Sequence, residues 1–169
     1  MKTTLNQIRD KSPCTGGWQK LLAHLGKTKA DDEPLSIPTI LDSNGLDDAL
    51  WCLQAVKGHD REIRLFGVWC ARQVQHLMTD QRSLDALDVA ERFANGAATE
   101  EERAAAWAAA GDAAGDAARA AAWAAAGDAA GDAARDAARA AAWAAAWDAQ
   151  AKRLRELCAE CDAKSAVTA

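Results

Sequence analysis

The chain has 169 residues, a formal net charge of −5 and a pI near 5.2, and half of its residues are hydrophobic, many of them alanine. That length is expected to make one domain with a helical appendage. From Thr99 onward there are twelve acids and eight bases, a net of −4, and the first 98 residues carry a net of −1; with no basic patch to meet a phosphate backbone, nucleic acid is not an expected partner.

Tyr is absent, β-branched residues are sparse and alanine is in excess. Together these predict an all-α chain, a multi-helix bundle of about seven or more helices. The opening MKTTLNQIRDKSPC has no apolar h-region, so no signal peptide is expected. No run is apolar enough for a membrane span. The expectation is a cytoplasmic protein whose five cysteines stay reduced.

In chain order, Leu5 and Ile8 predict a short amphipathic helix within residues 1–12, ended by Pro13 and Gly16-Gly17. Trp18, Leu21, Leu22 and Leu25 fall on one face of a second helix that Gly26 stops. Lys27 to Ser36 is polar and reads as a loop. Ile37 to Asp42 is a short helical turn with Pro38 in its first turn. Leu46 to Val56 carries an apolar stripe, with Asp47 and Asp48 in the first turn, where the helix dipole favours acids. Ile63, Phe66, Gly67, Cys70, Val74 and Leu77 share one face of the next helix, broadened by Trp69. Leu84, Leu87, Ala90 and Phe93 predict a further helix ended by Asn95-Gly96. Thr99-Glu-Glu-Glu then matches a capping box and sets the start of the following helix.

That helix opens a tetrad repeat, Arg103 to Gln150, in which nearly every fourth residue is Arg, Trp or Gly and the rest are almost all Ala or Asp. Alanine has the best helix propensity, so the tetrads favour helix. Each four-residue step overshoots one turn by about 40°. Trp107 and Trp123, sixteen residues apart, therefore lie on nearly opposite faces of a straight helix. Either a long helix is wrapped by other elements, or it breaks. Gly-Asp at 111–112, 115–116, 127–128 and 131–132 favours at least one break. The last helix runs through Leu154 and Leu157, and the chain after Asp162 is expected to fray. By composition the chain divides into residues 1–98 with a Leu/Trp core, Ala-rich helices over 99–162 packed on it, and a tail, 163–169. The seven Trp and the Leu, Ile and Val of the first half are expected to supply most of the core, with an exposed aromatic binding face at Trp107, Trp123, Trp143 and Trp147 as the alternative.

Few residues point to chemistry. Cys158 and Cys161 form the one CxxC, with no partner pair to complete a zinc site. His59-Asp60-Arg61-Glu62 lies at a helix start, and His59, Asp60 and Glu62 are the residues an enzyme would use; as an ordinary acidic first turn they would be solvated. There is no GxGxxG, P-loop, GxSxG or HExxH. No catalytic, cofactor-binding or metal-ligating residue is therefore assigned. The candidate contacts for a macromolecule are Asp112, Asp116, Asp128 and Asp132 with Arg119 and Arg135. Regular Thr is missing between Glu100 and Ala166, which sets the tract apart from ice-binding alanine helices.

The segment Leu46 to Gly96, with its VWCAR and AERFANG pieces, followed by Thr99-Glu-Glu-Glu and the AAAW and AAAR tetrads, resembles a bacterial and phage family of immunity proteins. This is the immunity-protein-five-like group associated with polymorphic toxin systems, and the resemblance covers residues 44–157. It implies a non-enzymatic protein that binds and neutralises a cognate toxin by occlusion, without a cofactor. The alternative is a phage-encoded anti-defence or regulatory binder. Either way the expected partner is a protein, not nucleic acid or membrane, and the surplus Ala/Trp surface could also pair two copies in a homodimer.

Overall fold

Met1, Leu5, Ile8, Ile37, Ile40 and Leu154 are almost completely removed from solvent, and they mark where the chain closes on itself. In the computed structural model the backbone is described for residues 1–125 and 132–167, and side chains are described outside 113–143 and up to residue 166. The fold is all-α. The described residues form eight α-helices and one two-stranded antiparallel pair. They fall into two compact units, one made of Met1–Asp60 with the segment from Ala146, the other of Arg61–Ala145. The units are interleaved along the chain rather than split at the composition shift near residue 98.

The first unit begins with β1 (Lys2–Thr3), which pairs with β2 (Leu35–Ser36) in the register Lys2 to Ser36 and Thr3 to Leu35. The loop predicted for 27–36 therefore ends in a short ladder. Thr3 is buried, and its hydroxyl donates to the Ala55 carbonyl at 2.9 Å, which satisfies the one polar side chain of this core. Helix α1 (Leu5–Arg9) is capped by Thr4, whose hydroxyl accepts from the Gln7 amide. Helix α2 (Thr15–His24) starts earlier than its apolar stripe suggests, with Gly16 and Gly17 inside it rather than ending the helix before. Gly26, at φ 64°, follows its end. Helix α3 (Ile37–Asn44) takes Ser36 as N-cap and Pro38 in its first turn. Gly45, at φ 96°, turns the chain directly into α4 (Leu46–Cys52), which continues as a 3-10 turn over Leu53–Ala55.

The second unit begins with α5 (Asp60–Gln73) and a 3-10 turn over Gln75–Leu77. The stripe predicted through Leu77 stops early: Val74 and Leu77 lie beyond the helix, 42% and 68% exposed. Helix α6 (Gln81–Ala94) packs against α7 (Glu100–Ala125). The capping box is complete. The Thr99 amide donates to Glu102 Oε2 at 2.7 Å, and the Glu102 amide donates to Thr99 Oγ1 at 3.2 Å. Helix α7 runs unbroken through Gly111-Asp112 and Gly115-Asp116, each Gly costing about 1 kcal/mol against Ala within a tract otherwise rich in alanine. Gly127-Asp128 lies outside the described residues.

Helix α8 (Asp132–Val167) extends past Asp162 to Val167. Its C-terminal part sends Leu154, Leu157, Cys158 and Cys161 into the core of the first unit. Asp162 binds the Met1 ammonium at 2.8 Å, and that ammonium also reaches the Cys158 carbonyl at 3.4 Å. Arg155 pairs with Asp42 of α3.

Among the described residues the tryptophan-rich core expected from the sequence is not what forms. The buried apolar residues are Met, Leu, Ile, Val, Phe, Cys and Ala, with no Trp among them. Trp107 is 76% exposed, Trp147 40% and Trp51 37%. Trp18 and Trp69 are half-buried, and the Trp69 ring stacks on the buried Phe66 with ring centres 6.2 Å apart. Trp123 and Trp143 lie outside the described side chains.

Two outcomes follow for stability. Leu154→Ala is expected to lose about 2–5 kcal/mol in denaturant unfolding, whereas Leu77→Ala at its exposed site should change stability by less than about 0.5 kcal/mol. The hydrogen bond from Arg155 holds Asp42 below the ordinary aspartate value of 3.8. A depressed folded-state pKa means that this stabilisation is present above 3.8 and is lost as pH falls through the folded value. The melting temperature of Asp42→Asn should therefore lie below that of the parent at neutral pH, and the gap should close as the pH is taken below 3.8.

Candidate functional site

Two concave sites stand out, one in each unit. In the first unit, Asn44 ends α3 and acts as a hub. Its amide donates to the Gly17 carbonyl at 2.9 Å and to Asp48 Oδ2 at 2.7 Å, while Ser43 Oγ donates to its side-chain oxygen at 2.7 Å. This draws α2 against the α3–α4 corner. A cavity of about 210 Å³ remains between them, walled by Ile8, Leu21, Ile40, Trp18 and Trp51, with Asp47 and Asp48 from the first turn of α4.

Gly17 makes the close approach possible. A Cβ there would sit 2.8 Å from Asp48 Oδ2 and 3.2 Å from Cys14 Sγ. Without it, the Asp48 carboxylate rests on the first turn of α2, where the positive end of the helix dipole favours it. Cys14, the N-cap residue of α2, is exposed and accepts from the Gly17 amide through sulfur at 3.3 Å. Cys52 lines the same cavity from inside. Burial, reinforced by the Asp48 charge, pushes its thiol up to about 12, so it stays protonated and inert at neutral pH.

In the second unit, three arginines of α5 engage α6. Arg61 donates to Asn95 Oδ1 at 2.7 Å, Arg72 reaches Asp88 at 2.9 Å and Glu91 at 2.5 Å, and the Arg64 guanidinium lies 5.0 Å from the centre of the Phe93 ring. From α7, Arg103 approaches the same ring at 5.4 Å. Between these contacts runs a groove of about 540 Å³, floored by Gly67, Ala71, Leu87 and Ala90 and edged by Arg64, Arg103 and Trp107. Arg103 is ion-paired with Glu100 and holds that carboxyl below its usual range. Arg64, on the same groove, adds its charge to that lowering of Glu100.

The residues singled out in the sequence fall elsewhere. Asp112 is exposed on α7. The side chains of Asp116, Arg119, Asp132 and Arg135, and the whole of Asp128, lie outside the described residues. His59 and Glu62 are half-buried and Asp60 is exposed, and none of the three lines either cavity. Cys158 and Cys161 are buried, and burial pushes the Cys158 thiol up to about 11. Among the described residues no group of three or more His, Cys, Asp or Glu is placed to hold a metal, and no helix is long and apolar enough to cross a membrane.

Sequence reasoning missed Asn44, Asp48 and Arg64. One signal was available: paired glycines inside an otherwise sound helix mark a close approach. No protein-family model, no curated protein and no solved structure matches the chain.

The two glycines of α2 separate helix propensity from this packing. Gly16 has open space, and Gly16→Ala should raise stability by about 0.5–1 kcal/mol in thermal unfolding. Gly17→Ala should give no such gain, because its Cβ must dislodge Asp48.

Proposed function

We propose that this chain is a non-enzymatic protein-binding module that neutralises a cognate toxin or similar effector by covering its working surface. The observation that carries the reading is Trp107, 76% exposed at the edge of an apolar groove that also presents Arg64 and Arg103. Leaving an indole in water forgoes a large favourable burial, and Trp and Arg around an apolar floor are the composition of binding hot spots. The groove suits a partner segment with apolar anchors and a carboxylate for Arg64. Asp112, exposed one turn and a half further along α7, is a rim contact for a basic group. The resemblance to immunity proteins supports the same reading and supplies the class of partner, a toxin.

The test is affinity capture from the native host, followed by inhibition of the captured protein's toxicity by the purified chain. The expected result is one stoichiometric toxin whose activity the chain suppresses. Trp107→Ala and Arg64→Glu should each weaken binding by about 2 kcal/mol or more, while Asp112→Lys has a smaller effect that depends on salt. A toxin held equally well by Trp107→Ala and Arg64→Glu would move the contact away from this groove. Capture of a host or phage defence component in its place would favour an anti-defence role.

A further inference from the structure

The cavity of the first unit combines features that the binding reading above does not use. Its walls are apolar and aromatic, with Leu21, Ile40, Trp18 and Trp51 prominent. Its charged lining is purely anionic: Asp47, exposed, and Asp48, half-buried. Among the described residues neither carboxylate has an ion-pair partner; Asp48 accepts one hydrogen bond, from Asn44. The nearby cation, Lys20, is directed to the Asn44 carbonyl at 3.4 Å. The N-terminus of α2 contributes about half a positive charge beside Asp48, which leaves the pocket net negative.

We propose that this cavity is a binding site for a small organic cation, an alkylammonium group whose apolar substituents fill the space between Trp18 and Trp51 while Asp47 and Asp48 meet its charge. An anion is repelled by both carboxylates. A neutral apolar ligand would cover Asp48 and desolvate it with nothing in return. A metal ion would need further oxygen or nitrogen donors that the apolar walls do not supply. A quaternary alkylammonium gains from indoles and carboxylates together, and with no N–H to hydrate it leaves water at lower cost than a primary ammonium. At about 210 Å³ the cavity is below the usual range of about 300–1,000 Å³ for drug-sized ligands, so the occupant is small, of the size of choline.

Cys14 supplies a local reporter. It lines the mouth of the cavity and is exposed, whereas Cys52, Cys158 and Cys161 are buried and Cys70 is half-buried. The experiment is calorimetric titration of the full chain with choline and with its uncharged analogue 3,3-dimethylbutan-1-ol, combined with mass-spectrometric measurement of Cys14 alkylation by iodoacetamide. Choline is expected to bind saturably, the alcohol at least about tenfold more weakly, and saturating choline to slow Cys14 alkylation severalfold. Asp47→Asn with Asp48→Asn should cut choline affinity by about tenfold or more. Gly17→Ala, which keeps a good helix former in α2 while displacing Asp48, should weaken choline in the same direction and serves if the double variant does not fold. Equal binding of choline and the alcohol overturns the proposal. So does choline binding that survives both variants, and so does the absence of heat and of Cys14 protection at a large excess of choline. Because the toxin groove lies in the other unit, Trp107→Ala should leave choline binding unchanged.

Discussion

The first unit depends on one hydrophobic contact made across nearly the whole length of the chain: Leu154, Leu157, Cys158 and Cys161 of α8 buried with the opening sixty residues. The elements of that opening segment are short. Helix α1 has five residues and α4 has seven, far below the length at which an isolated helix holds in water. Burying a leucine contributes about 1.5–3 kcal/mol, so two leucines and two thiols on one helical face supply what local propensity cannot. Polar contacts then set the register. The Met1 ammonium on Asp162 and Arg155 on Asp42 position α8 against the chain start and α3. The Met1 carbonyl accepts from the Ile37 amide, which ties the same point to the start of α3.

The second unit is organised on a different principle. Among its described side chains only Phe66, Val68 and Ala94 are buried apolar residues. Alanine lets α6 and α7 approach closely but contributes little area, so α5 is held to α6 by arginines that reach amide, carboxylate and ring acceptors. Such contacts span a gap without filling it. The groove between them follows from that choice, and Trp107 is left at its edge with most of its surface in water.

Both concave sites share a physical origin. Small residues line both: Gly17 of α2, beneath Asp48 of α4, in the first unit, and Gly67 and Ala71 of α5 with Ala86 and Ala90 of α6 in the second. Their charged linings differ: Asp47 and Asp48 in the first unit, Arg64 and Arg103 with Glu100 in the second.

Local chemistry was readable from the residues themselves. Thr99 and Glu102 form the capping box because both halves of that device lie within four residues. Leu5 with Ile8, Pro38, Gly26 and Asn95-Gly96 placed helices and stops for the same reason, since propensity, capping and turn geometry act over a few positions. The all-α class followed from composition. What the tertiary structure alone decided depends on contacts between distant residues: the pairing of Lys2–Thr3 with Leu35–Ser36, the union of the first sixty residues with the end of α8, the continuation of that helix past Asp162, and the exposure of Trp107. The indoles looked like core residues because their size calls for burial, yet burial is granted by the neighbours that arrive. Asn44 could be seen as a helix end from its own surroundings; that it clamps Gly17 and Asp48 required the approach of α2, which no local pattern encodes.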